Sequence, residues 1–193
     1  DTVKNGIMVR YDIKKLPNID KQQIFIHLDV DVLVVNNIRK LFEENDLNIY
    51  NNESVLYIKK EGFLLDKTYY GELITDEERE FIKNNNLENL AGYTAGIYAW
   101  FNQPESNDFI NFFEMIQAKD KETLVEFYQH EQPFFNYAIF NNLFRPNNIK
   151  IKQMPYDLIN HNKPFNKKSK DTILVNYCGE AGIDSFHWDK IMM

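Results

Sequence analysis

The most continuously apolar stretch of the chain is Ile24 to Val35, IFIHLDVDVLVV. Its length and β-branched residues predict a strand buried on both faces of a parallel or mixed sheet. Strand side chains alternate, so His27, Asp29 and Asp31 are expected on one face and Val30 and Val32 on the other. Ahead of it, Ile7 to Ile13 reads as an edge strand or short helix, closed by a turn at Leu16-Pro17-Asn18. Ile38 to Phe42 predicts one or two helical turns, and Ser54 to Lys59 a further strand. The capping box Thr75-Asp76-Glu77-Glu78 starts a helix that runs to about Asn84. Leu90 to Phe101 is a second apolar run, read as a strand with a close backbone approach near Gly96. The spacing of Phe109, Phe112, Phe113 and Ile116 predicts an amphipathic helix over Ser106 to Ala118, followed by a solvated break at Lys119 to Lys121. Thr123 to Phe144 reads as helix in two pieces, with Pro133 in the first turn of the second and Pro146 at its end. A short strand at Ile149 to Ile151, a basic loop from Asn160 to Lys170, a last strand at Thr172 to Cys178 and a turn at Gly179 to Gly182 complete the pattern. Strands interleaved with helices predict an α/β class. No repeat or linker divides the chain, so residues 1–193 are expected to form a single domain.

Composition narrows the function. With 44% apolar and 15% aromatic residues over 193 positions, the chain can bury a sizeable core. A net charge of −7 argues against a general nucleic-acid binder, which needs a basic surface to release counterions. The single cysteine, Cys178, allows no internal disulfide and fits a reducing, cytoplasmic compartment. No run approaches the ~18 apolar residues of a membrane span.

The chemistry centres on Asp29 and Asp31. Two like charges a few ångströms apart in apolar surroundings are unfavourable unless a cation lies between them. Hard oxygen ligands at a sheet edge suit Mn²⁺ or Mg²⁺, which keep positions open for phosphate oxygens. The alternative is a pair that caps a solvated loop just after the strand. His27 reads as a core histidine, and Arg10 as a partner for a nearby carboxylate.

Several stretches, in order, resemble glycosyltransferases of the GT-A fold, nearest to family 8 and its glycogenin-like and galactosyltransferase-like members. They are Arg10 with Leu16-Pro17, the Asp29-Val30-Asp31 strand, Thr94-Ala95-Gly96-Ile97, Glu131-Gln132 with Phe135-Asn136-Tyr137, Met154-Pro155 with Asn160, and Asn176-Tyr177-Cys178-Gly179 with Lys190. The resemblance implies a GT-A mixed sheet flanked by helices. It also implies transfer of a sugar from a nucleotide diphosphate donor, commonly UDP-linked, to an acceptor hydroxyl, with retention at the anomeric carbon. Asp29, Asp31 and Asn176 would hold Mn²⁺ or Mg²⁺. Arg10, Thr94, Ala95 and Gly96 would line the donor sugar, and Glu131 and Gln132 would stand near the reacting face as catalytic groups. Gly179 and Lys190 would meet the diphosphate. Two departures stand out: Thr94 replaces the usual Asn, and Asn176 replaces a metal-binding His. Only 28 residues precede Asp29, so the family's nucleotide-binding first half, with its strands, is expected to be missing from this stretch. A sheet edge left open in this way is expected to seek a partner, including a second copy of the chain.

Two other classes remain. Asp29-Val30-Asp31-Val32-Leu33 also fits the opening motif of haloacid-dehalogenase-type phosphatases, in which the first Asp is the nucleophile, although their later paired-Asp motif is lacking. A non-catalytic GT-A-like module that binds a sugar nucleotide or a protein partner is the other.

Overall fold

A computed structural model describes residues 11–17, 23–42, 53–102, 106–123, 131–144, 148–161 and 169–176. The apolar stretch around the two aspartates is not one strand. It forms β1 (Gln23–Leu28) and β2 (Val32–Val34), separated by a turn in which the Val32 amide donates to the Asp29 carbonyl at 3.0 Å. Aspartate is a poor strand former and a good turn former, and two of them flank the bend. Val30 at its tip is 101% exposed. The pair thus follows the strand, as in the loop alternative, while both carboxylates remain half-buried.

β1 and β2 belong to different sheets. In the first, the order is β1-β4-β3-β5, with β3 spanning Ser54–Phe63, β4 Ala91–Asn102 and β5 Ile149–Gln153. β4 runs antiparallel to both β1 and β3, and β5 runs parallel to β3. β1 is therefore an antiparallel edge strand, which is why it is half-buried rather than covered on both faces. The second sheet has the order β2-β7-β6, with β6 at Ile159–His161 and β7 at Leu174–Asn176. β7 pairs antiparallel with β2 and parallel with β6. Both sheets are mixed. Asn160 and His161, expected in a loop, belong to β6.

Alternation along β3 sends side chains into two cores. Leu56 and Ile58 pack with Phe109, Phe112, Phe113 and Ile116 of the helix α2 (Asp108–Glu122), and with α3 (Gln132–Phe144). Val55 and Tyr57 face the other way, toward Ile159 and Leu174 of the second sheet. The four predicted stripe residues of α2 are all buried. The helix does not break at Lys119–Lys121. It continues to Glu122, and the Lys119 ammonium lies 5.0 Å from the centre of the Tyr137 ring. Lysine is a good helix former, and here its stem has an aromatic surface to cover. The Ser54 hydroxyl donates to Asp108 at 2.7 Å, joining the start of β3 to the start of α2.

Helix α1 (Asp76–Asn84) has the expected cap. The Glu78 amide donates to the Thr75 hydroxyl at 3.2 Å, and the Thr75 amide donates to the Glu78 carboxylate at 3.0 Å. A π-helical turn at Lys67–Gly71, absent from the sequence reading, carries Tyr69 against Gly62 and Gly92, where any β-carbon would collide with the ring. Replacing Thr75 by Ala is expected to lower stability by about 1 kcal/mol. A urea midpoint unchanged by the substitution would show that the cap contributes nothing.

Candidate donor and metal site

The turn between the sheets holds Asp29 in a defined orientation. Its amide donates to the Gly96 carbonyl at 2.9 Å, so the turn is anchored on the middle of β4. One carboxylate oxygen, Oδ1, lies 3.2 Å from His27 Nε2. The His27 ring is stacked on Tyr98, centroids 4.7 Å apart and nearly parallel, and Phe25 is stacked on Trp100 in the same way at 4.9 Å. These are the cross-strand neighbours His27↔Tyr98 and Phe25↔Trp100. Such pairs fix ring orientation on one face of a sheet. Histidine 27 is thus part of the aspartate's surroundings and not only a core residue.

The other oxygen of Asp29 lies over Gly96. A β-carbon built there would sit 2.5 Å from Oδ2 and 3.1 Å from Cγ. The requirement for glycine comes from this approach by a carboxylate. Asp31 is half-buried, with its Oδ1 shielded from solvent. Asn176, 3% exposed, is the register partner of Val32, the residue after Asp31. The Asp29–Asp31 turn and the end of β7 at Asn176 therefore lie beside each other through the Val32–Asn176 pairing. Among the described residues, no three His, Cys, Asp or Glu side chains gather as a metal-binding cluster.

Beside Asp29, the stretch Thr94-Ala95-Gly96 is buried. The Gly96 amide donates to the Thr94 hydroxyl at 3.2 Å, and the Ala95 amide to Gln132 Oε1 at 3.4 Å. Gln132 Nε2 donates to the Thr68 carbonyl at 3.0 Å, so both ends of this amide are engaged by backbone. Glu131, just before α3, is 9% exposed, and its carbonyl accepts the Phe135 amide. The Tyr93 amide donates to Asn136 Oδ1 at 2.8 Å, and Asn136 Nδ2 donates to the Tyr93 carbonyl at 2.7 Å. Burial pushes the Tyr93 phenol above its ordinary pKa.

Of the residues singled out from sequence, Asp29 lies against Gly96, Gly96 is bonded to Thr94 and Ala95 to Gln132, Glu131 precedes Gln132, and Asp31 precedes Val32, which pairs with Asn176. Arg10, Gly179 and Lys190 lie outside the described residues. The reading gave no role to Thr68, none of its own to Asn136 beyond its place in the resemblance, and to His27 only that of a core residue. Two of these had a signal: His27 lies two residues from Asp29 on a strand, and Asn136 lies four from Gln132 on a helix. Thr68 had none.

No protein-family profile matches the chain, and no curated protein sequence does. Solved structures that resemble its fold include two apo forms. One is the WbbM bifunctional glycosyltransferase in its apo form, at 16% identity and TM-score 0.48, covering 90% of this chain and 31% of that one. The other is mouse xyloside xylosyltransferase 1 in its apo form, at 15% identity and TM-score 0.47, covering 93% of this chain and 63% of that one. Both are glycosyltransferases, and this chain spans less than two thirds of either. At this level the likeness assigns neither reaction nor residue. No helix among the described residues is long and apolar enough to cross a membrane.

Gly96→Ala is expected to destabilise the protein by about 1–3 kcal/mol, because the new methyl overpacks against the Asp29 carboxylate. Thermal or urea unfolding measures this. Unaltered stability would mean that Asp29 moves aside without cost and is not held against Gly96.

Proposed function

We propose that this chain is the donor-binding part of a metal-dependent glycosyltransferase of GT-A type. It transfers a sugar from a nucleotide diphosphate, most simply a UDP-sugar, to an acceptor hydroxyl with retention of anomeric configuration. The observation that carries the reading is the Asp29 carboxylate seated over Gly96, in a stretch that Gln132 of α3 also holds, so that three separate regions of sequence converge.

The donor set fits a hard divalent cation. Asp29, Asp31 and Asn176 offer oxygen atoms, and the bare Gly96 leaves Asp29 a space that a β-carbon would fill. Mn²⁺ or Mg²⁺ held on two carboxylates keeps positions for water and phosphate oxygens. When bound, such an ion neutralises charge on the departing diphosphate. His27 holds one Asp29 oxygen and so orients that carboxylate. The buried Thr94-Ala95-Gly96 stretch forms a floor for the sugar, where the Thr94 hydroxyl retains a proton to donate while accepting from Gly96. Glu131 and Gln132 stand at the start of α3 beside this floor and act on the reacting face of the sugar. The family resemblance assigns Arg10 to the sugar and Gly179 and Lys190 to the diphosphate.

Calorimetric titration of UDP with and without Mn²⁺ tests the reading, beside the Asp29→Ala/Asp31→Ala variant. Mn²⁺ is expected to strengthen UDP binding to the parent protein and to have no effect on the variant, whose transfer rate falls by roughly 100-fold or more. UDP binding that ignores both Mn²⁺ and the substitutions, or no binding at all, overturns the proposal.

A further inference from the structure

The ladder between β3 and β4 is interrupted beside the site. Its register reaches Ile58↔Tyr98 and resumes at Lys60↔Tyr93, so that Lys59 alone spans the β4 stretch Thr94–Ile97. Buried backbone amides and carbonyls freed by such an interruption need other partners. Helix α3 meets β4 at this place, bonding Ala95 within the interrupted stretch and Tyr93 where pairing resumes. Asn136, 0% exposed, accepts from the Tyr93 amide at 2.8 Å and donates to the Tyr93 carbonyl at 2.7 Å. Its second amide proton goes to the Gln132 carbonyl at 2.9 Å. A primary amide offers the same donor and acceptor as a peptide group, so Asn136 stands in for a neighbouring strand. Gln132, four residues earlier on the same helix face, takes the Ala95 amide.

We propose that Asn136 is the positioning residue of the sugar floor. By holding both backbone groups of Tyr93, it fixes where Thr94, Ala95 and Gly96 lie against Asp29. It thereby governs recognition of the donor's sugar, while the nucleotide diphosphate is left to the Asp29–Asp31 turn. The proposal rests on the donor-site reading above and deepens it. Asn136 touches no substrate; it acts through the strand it holds. Misplacement of a binding floor by a fraction of an ångström is felt by the group that lies on it and not by a charge held elsewhere.

The test compares the parent chain with Asn136→Asp, which keeps its size and one acceptor but loses both donors, and with Asn136→Leu, which loses all three bonds. Amide hydrogen exchange at Tyr93 and Ala95 reads the clamp directly. Calorimetry with UDP, UDP-glucose and UDP-galactose in the presence of Mn²⁺ reads its consequence. The parent is expected to protect the Tyr93 amide and to bind one UDP-sugar in preference to UDP. The Asp variant is expected to exchange Tyr93 faster, to bind UDP as the parent does, and to lose roughly tenfold in preference for the sugar. A Tyr93 amide that exchanges in the parent like an exposed loop amide overturns the proposal. So does an unchanged sugar preference in the variant, a parallel loss of UDP and UDP-sugar affinity, or a parent with no sugar preference. A parent that binds neither UDP nor UDP-sugar overturns the donor-site reading itself, an outcome separate from these.

Discussion

The chain passes from one sheet to the other within the three residues Asp29 to Asp31, and this crossing constrains everything around it. Val32 hydrogen-bonds back to Asp29, and Asp29 hydrogen-bonds to Gly96. The bend is thereby fastened to β4 on one side and continues into β2 on the other. If β1 had continued straight, its aspartates would have lain along a buried sheet as unpaired charges, at large desolvation cost. Turning at the edge brings both carboxylates to the rim and leaves the apolar surfaces of the two sheets free to close on each other. The core between them, with Tyr57, Phe101, Ile159 and Leu174, packs against the crossing.

The same constraint sets the character of the site. Asp29 is held by His27 on one oxygen and lies over a glycine with the other. His27 in turn is fixed by stacking on Tyr98, whose own ring is buried among Phe113 and Phe135. Orientation of the carboxylate thus descends in three steps from the aromatic core. A group fixed this way pays little reorganisation when it meets a charged ligand, which is the condition for strong electrostatic stabilisation.

Much of the architecture was legible because it follows from local rules. The capping box at Thr75 needs only residues 75–78. The Phe109–Ile116 stripe needs only helical spacing, and Gly96 announces a close approach within a long, largely apolar strand. What could not be read depends on tertiary partners. Ile24 to Val35 has the composition of one buried strand, and nothing local says that it divides between two sheets. β1 lies at an edge because of where β4 and β3 pair, not because of its own residues. Lys119 and Lys121 look like a break until Tyr137 supplies a surface for Lys119. Asp29, Thr94, Gln132 and Asn176 were grouped in sequence only through a family resemblance; the spacing of these residues alone would not have joined them. Asn136 illustrates the remaining gap, since a buried amide that replaces a strand has the same sequence signature as one that merely caps a helix.

The pairing of Val32 with Asn176 has a consequence for how the protein comes into being. β2 emerges early in synthesis, and β7 is made near the end of the described chain, so the antiparallel ladder between them closes one of the longest loops in the molecule. Closing a long loop is slow, and it must precede the reward of the contacts it brings. During translation the Asp29–Asp31 turn therefore leaves the ribosome long before the strand that pairs beside it exists. A nascent chain carries a half-built rim of negative charge until β7 docks. The ladder forms only once β7 has been made, so that a product truncated ahead of Asn176 is left without it.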